Sequence, residues 1–164
     1  MSERPAPDRL AAWRLFLHAH GRLIERLEAE LDAARRLPLS WYDVLVQLHE
    51  APDRCRRIQE LGRGLALSGS GLSRRVSRME EAGLVERRAC PDDRRGVVVA
   101  LTSRGADALR AAAPVHLRGI QDHFARHLSD DEAVALRSAF AKILDGLAAQ
   151  APAAPDPPTQ ADAF

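Results

Sequence analysis

Trp13, Leu17, His20, Ile24, Leu27 and Leu31 recur at spacings of four and three, so residues 8–36 are predicted to form one long helix with a single apolar stripe, widened by Phe16 and Leu23. A helix of about 28 residues is about 42 Å long, more than one side of a small domain covers. Part of that stripe therefore needs another partner, and a second subunit is one. Pro38 ends this helix, and Ser40 is placed to cap the next, from Trp41 to about Glu50. After Pro52-Asp53, residues 55–63 read as a short helix with Ile58 and Leu61 inward. Gly62, Gly64 and Ser68-Gly69-Ser70-Gly71 mark a turn.

A further helix is predicted over Ser70–Ala82. Leu72, Val76 and Met79, at i, i+4 and i+7, form its buried side, while Ser70, Ser73, Arg74, Ser77 and Arg78 fall on the other. Gly83 is placed to end it in a left-handed turn. The period then changes from 3.6 to 2. Residues 84–88 and 96–101 read as two strands joined by Cys90-Pro91-Asp92-Asp93-Arg94-Arg95. Thr102 or Ser103 caps a helix to about Leu128, which Pro114 and Gly119 are expected to kink or disturb. Ser129-Asp130-Asp131-Glu132 is a capping box opening a last helix, whose stripe is Leu136, Phe140, Ile143 and Leu147. Residues 150–164, rich in proline and alanine, read as a disordered tail.

The 164 residues suit one domain, or one domain with an extension, and abundant alanine and leucine with 4% aromatics favour helices over a sandwich or barrel. No apolar run approaches the roughly 20 residues that span a bilayer, and the polar start lacks the apolar core of a signal peptide. Cytoplasmic residence without membrane association is the expectation. Net charge is +1, but its distribution is uneven. From Arg54 to Arg104 twelve arginines face six acids, a local charge of +6, and the remainder carries −5. A basic middle inside a neutral chain is the footprint of a polyanion-binding module.

The order of short helix, Gly/Ser turn, Arg/Ser-faced helix and Arg-tipped hairpin is that of a winged helix-turn-helix, and double-stranded DNA fits its chemistry. An α-helix enters the major groove and its N-terminal residues meet base edges. The residues of the turn and helix assigned to DNA are Ser68, Ser70, Ser73, Arg74, Arg75, Ser77 and Arg78. The short serines let the backbone approach, and Arg74 and Arg78 reach guanine edges or phosphates. At the hairpin tip, Arg94 and Arg95 suit the narrow, electronegative minor groove, with Asp92 or Asp93 fixing the arginine's direction through an ion pair. Against this stands the plain reading of Arg74, Arg75 and Arg78 as a solvated helix face.

The stretch LSGSGLSRRVSRMEEAGLVERRACPDDRRGVVVALTSRG resembles the recognition helix and wing of MarR-family transcription regulators. Its most specific part is Asp93-Arg94-Arg95 followed by Leu101-Thr102. Next is Gly83-Leu84-Val85-Glu86-Arg87, and the resemblance extends over residues 10–148. It implies a mainly α fold with a small β-hairpin wing. Residues 38–102 would be the DNA-binding domain, flanked by a helical dimerisation region of residues 8–36 and 103–148. It also implies a homodimer on a palindromic operator, acting as a repressor, with Arg95 as the minor-groove arginine and Arg94 its neighbour.

The sequence departs from the family pattern in the extra arginine and glycine of the motif's first helix and turn, which would either loosen the turn or add phosphate contacts from Arg54, Arg56, Arg57 and Arg63, and in Gly69 and Gly71, which thin base readout. The resemblance further implies a small aromatic or phenolic effector between the two regions. Trp13, His20, Trp41, Tyr42 and His49 are the lining residues, and Arg14 or Arg22 would pair an anionic group. For Trp13 and Trp41 the plain reading is core packing.

Two other triggers within this fold are weaker in the sequence. Cys90 lies among arginines at the wing, but the first helix carries no cysteine, and Cys55 is placed on a helix surface or edge. His123 and His127 have zinc-compatible spacing, but neither His116 nor Asp122 makes a convincing third ligand. No metal or cofactor is expected. An enzyme is disfavoured, because no phosphate loop, nucleophile elbow or acid/base pair is present. A helical interaction protein without DNA binding leaves the Arg-tipped hairpin unexplained.

Overall fold

The computed structural model describes residues 4–34, 36–65, 69–90 and 93–150. Among the described residues six α-helices and a three-stranded sheet follow in the order α1 (Pro7–Ala33), α2 (Leu39–His49), β1 (Cys55–Arg57), α3 (Ile58–Leu65), α4 (Gly69–Glu81), β2 (Val85–Cys90), β3 (Asp93–Leu101), α5 (Ser103–His123) and α6 (Asp130–Ala149). The chain divides into two compact units, with the boundary between Phe124 and Ala125.

In the first unit, antiparallel β3 lies between β1 and β2. Leu31, Leu45, Leu48, Leu61, Leu72, Val76, Met79, Val85 and Val99 are fully buried and draw α1–α4 and the sheet onto one core. Each such side chain contributes about 1.5–3 kcal/mol on leaving water. From α1 only Leu27 and Leu31 are buried. Trp13, Leu17 and Ile24, on the same stripe, stay exposed at 54%, 49% and 38%. The predicted surplus of apolar length on α1 is therefore real in a single chain.

Several local expectations change. Residues 55–57 form a strand, pairing Cys55 with Ala100 and Arg57 with Val98, so the predicted helix over 55–63 begins only at Ile58 and runs to Leu65. Ahead of it Asp53 and Arg54 both take left-handed φ values, 54° and 53°. Ser40 does not cap α2, because Pro38 occupies that position and no side chain bonds the first turn. α5 runs uninterrupted through Pro114 and stops at His123 rather than near Leu128. Phe124, at φ −130°, leaves the helical region and a single turn of 3₁₀ helix follows at Ala125–His127.

Other signals are met. α4 ends in a Schellman turn: Gly83, φ +72°, donates to the Glu80 carbonyl at 2.8 Å, and Leu84 N–H reaches the Met79 carbonyl at 2.9 Å. The Thr102 hydroxyl accepts from Gly105 N–H at 3.0 Å and caps α5. The same hydroxyl donates toward the Gly83 and Leu84 carbonyls, at 2.8 and 3.0 Å. In the second unit the Ser129–Glu132 capping box opens α6. That helix leaves Val134, Ile143, Leu144 and Leu147 exposed.

Candidate nucleic-acid interface

The buried side of α4 sets its outer side. Leu72, Val76 and Met79 are at most 1% exposed, which turns Ser73, Arg74 and Arg78 outward into solvent. Arg75 is half-buried and its guanidinium donates to the Ser40 carbonyl of α2 at 3.4 Å. Ser77 is engaged within the protein, donating to the Ser73 carbonyl at 3.1 Å and accepting from Arg87 at 3.0 Å.

Arg87, on β2, fastens the wing to this helix. Its backbone N–H donates to Glu80 Oε1 at 2.9 Å, its guanidinium pairs with Glu80 Oε2, and it also reaches the Ser73 carbonyl at 3.4 Å. Arg88 pairs instead with Glu86 on the same strand. The sequence reading missed Glu80 and Arg87 as positioning groups. The signal was present: an acid near the end of α4 and a base four residues past the Gly83 reversal are brought face to face by that turn.

Ser68 and Asp92 lie outside the described residues. For Ser70, Asp93, Arg94 and Arg95 the description is limited to the backbone: Ser70 is in the first turn of α4, and the other three open β3. Arg94 and Arg95 thus belong to a strand rather than to the expected loop. Ala89 pairs with Val97 and Cys90 with Asp93, so Arg94-Arg95-Gly96 form a bulge on β3 with no counterpart on β2. A bulge bends its strand and increases the local twist. Among the extra arginines, Arg54 and Arg57 are exposed, Arg56 is half-buried with its Nε lacking a partner, and the backbone of Arg63 lies in α3.

The five residues expected around an effector fall in three places. Tyr42 and His49 share a cavity of about 350 Å³ between α2 and α5, whose walls include Arg54, Leu109, Arg110 and Ala113. Trp41 lines a different cavity, beside α4. Trp13 and His20 stand on α1 on either side of Phe16, each 5.9 Å from it between ring centroids. Arg14 and Arg22 are exposed on α1, with Arg22 3.7 Å from Glu25.

Next to the first cavity the Tyr42 and His116 rings lie 4.3 Å apart, and His116 Nδ1 is buried without a partner. Loss of hydration lowers the His116 pKa against the pull of Asp43. It raises those of Tyr42, helped by the charges of Asp43 and Glu50, and of Asp43, opposed there by His116 and Arg75.

Cys55 lies half-buried on β1 rather than on a helix, its Sγ 4.0 Å from the Pro52 carbonyl. His123 bonds Glu30 of α1 at 2.6 Å. No group of three or more metal-ligating side chains occurs among the described residues. None of their helices is long and apolar enough to cross a membrane.

The geometry is thus an exposed Ser/Arg helix face braced against a two-stranded wing. The MarR family model matches residues 37–96, which hold that helix and most of the wing. No curated protein sequence is significantly similar to the chain. Solved structures are. AbsC, a MarR family transcriptional regulator from Streptomyces coelicolor, is 32% identical over 91% of this chain and 100% of its own, with a TM-score of 0.82. Sco3205, another MarR family transcriptional regulator from that organism, solved in complex with DNA, is 29% identical over 93% of this chain and 94% of its own, with a TM-score of 0.83. A MarR variant from E. coli complexed with operator DNA, 24% identical over 87% of this chain and 99% of its own, shares the fold with a TM-score of 0.72. With its recognition helix, wing and flanking helices matched over nearly its whole length, the chain belongs to the MarR family of DNA-binding transcriptional regulators.

Proposed function

We propose that the protein is a homodimeric repressor that occupies a palindromic operator, works in the cytoplasm, catalyses no reaction and releases DNA when a small aromatic or phenolic effector binds. The observation that carries the DNA reading is the outward Ser73–Arg74–Arg78 face of α4, held to the wing by Glu80 and Arg87. In this reading α4 lies in the major groove and its hydroxyl and guanidinium groups meet bases and phosphates. Arg95, with Arg94 beside it, is the minor-groove arginine of the wing, and Asp92 or Asp93 orients it.

Residues 38–102 form the reading head, and α1, α5 and α6 the dimerisation region. The exposed Trp13, Leu17 and Ile24 of α1, with Ile143, Leu144 and Leu147 of α6, supply apolar surface for a second copy. Two-fold pairing places the half-sites about one helical turn apart. The cavity holding Tyr42 and His49 is the effector site: Tyr42 offers a ring to stack on, and Arg54 and Arg110 offer charge to a carboxylate or phenolate.

The test is retention of chromosomal fragments by the purified protein, followed by sequencing. Recovery of a shared inverted repeat, and its loss with Arg74→Ala, is expected. Fragments without common sequence overturn specific recognition. A screen of aromatic acids for release from the recovered fragment, with Arg110→Ala as control, tests the effector.

A further inference from the structure

A second cavity, of about 290 Å³, opens between α2 and α4 and is lined by Ser40, Trp41, Gly71, Arg74, Arg75 and Arg78. Its charge is one-sided, with three guanidinium groups and no carboxylate among the lining residues. Arg75 is held at one wall by its bond to the Ser40 carbonyl. Asp43, one turn further along α2, feels its charge. Trp41, half-buried, gives the cavity an apolar ring among its lining, and Gly71 adds backbone with no side chain. Three cations around one small space repel each other unless an anion lies between them. Arg74 and Arg78 also stand on the exposed face of α4, so the cavity continues the DNA interface rather than forming a separate surface.

We propose that this cavity seats one phosphate of the DNA backbone beside the groove that α4 enters, with Arg75 and Arg78 as donors and Trp41 as the wall that keeps water from behind them. The proposal rests on the DNA reading above and adds Trp41, which the sequence placed with an effector, to the residues that meet nucleic acid. Guanidinium matches phosphate with two parallel hydrogen bonds, and an apolar backing strengthens such bonds by lowering the local polarity. A contact of this kind fixes the position of the protein on the duplex and carries no sequence information.

The chain has two tryptophans, so Trp13→Phe leaves Trp41 as the sole emitter. Titration of that variant with a short random-sequence duplex is expected to shift Trp41 emission and to protect it from acrylamide quenching. In the same background Arg75→Ala is expected to weaken binding equally on random and operator duplexes and to lower the log–log salt slope by about 0.9, one phosphate. Duplex binding with Trp41 emission unchanged overturns the proposal, as does an unchanged slope. Benzoate shifting Trp41 where the duplex does not would make the cavity a small-anion site and overturns it too. If the protein with Trp13 intact binds no duplex at any salt concentration, the DNA reading itself falls. If Arg75→Ala does not fold, the Trp41 titration alone decides.

Discussion

Glu80, near the end of the recognition helix, accepts hydrogen bonds from both the backbone N–H and the guanidinium of Arg87 on the first wing strand. One carboxylate thus ties α4 to β2 across the Gly83 reversal. Glu80→Ala is expected to cost only about 1 kcal/mol of stability, because both side chains are partly solvated. It is expected to weaken operator binding several-fold while helix content persists. Urea unfolding beside a DNA titration checks this, and equal losses in both would reduce the pair to a stability element.

Arg74→Ala is expected to relax base preference, costing about 1–3 kcal/mol of discrimination if the side chain makes a bidentate base contact. Titrations of the recovered operator and of single-base variants measure it. The same loss on random DNA identifies a phosphate contact instead.

The exposed stripe of α1 predicts a concentration-dependent assembly. Leu17→Glu places a charge among Trp13, Phe16 and Ile24, where a single chain leaves the surface open. Sedimentation velocity is expected to show the dimer weakened and the far-ultraviolet spectrum of the monomer unchanged.

How much of this the sequence disclosed depends on how local each signal is. The buried side of α4, the Gly83 reversal and the Thr102 and Ser129 caps each depend on a few neighbouring residues, and all were legible. β1 was not, because Cys55-Arg56-Arg57 is too short to display a period of two; only its pairing with Val98–Ala100 makes it a strand. The effector set dispersed for a geometric reason. Trp41 and Tyr42 are adjacent in sequence, but successive residues on a helix point about 100° apart, so they serve different cavities. The Glu80–Arg87 contact needed the reversal at Gly83 before the two residues could be seen as partners.

Gly105→Ala tests the junction at the start of α5. A methyl group there would press into the Leu84 carbonyl oxygen and lie 2.8 Å from Leu101 Cδ1. Backbone at that site cannot step aside, so a loss of about 1–3 kcal/mol is expected despite the better helix propensity of alanine. The urea midpoint reads it directly.

Acid is expected to loosen α1 from α5. Glu30 titrates below its ordinary 4.5 because it accepts a hydrogen bond from His123, with the charges of His123 and Arg26 adding and burial opposing. A carboxyl lowered in the folded state contributes stability that is whole above the unfolded value and is lost as pH falls through the folded one. The stability gap between the native chain and Glu30→Gln is therefore expected to hold near neutrality and to close below about pH 4.5. A gap that does not vary with pH would assign the contact to packing alone.

The Thr102 hydroxyl joins the exit of the recognition helix, the root of the wing and the first turn of α5 at one atom. Because these three elements share that one anchor, any displacement of the start of α5 is felt first at the end of α4 and at the root of β2.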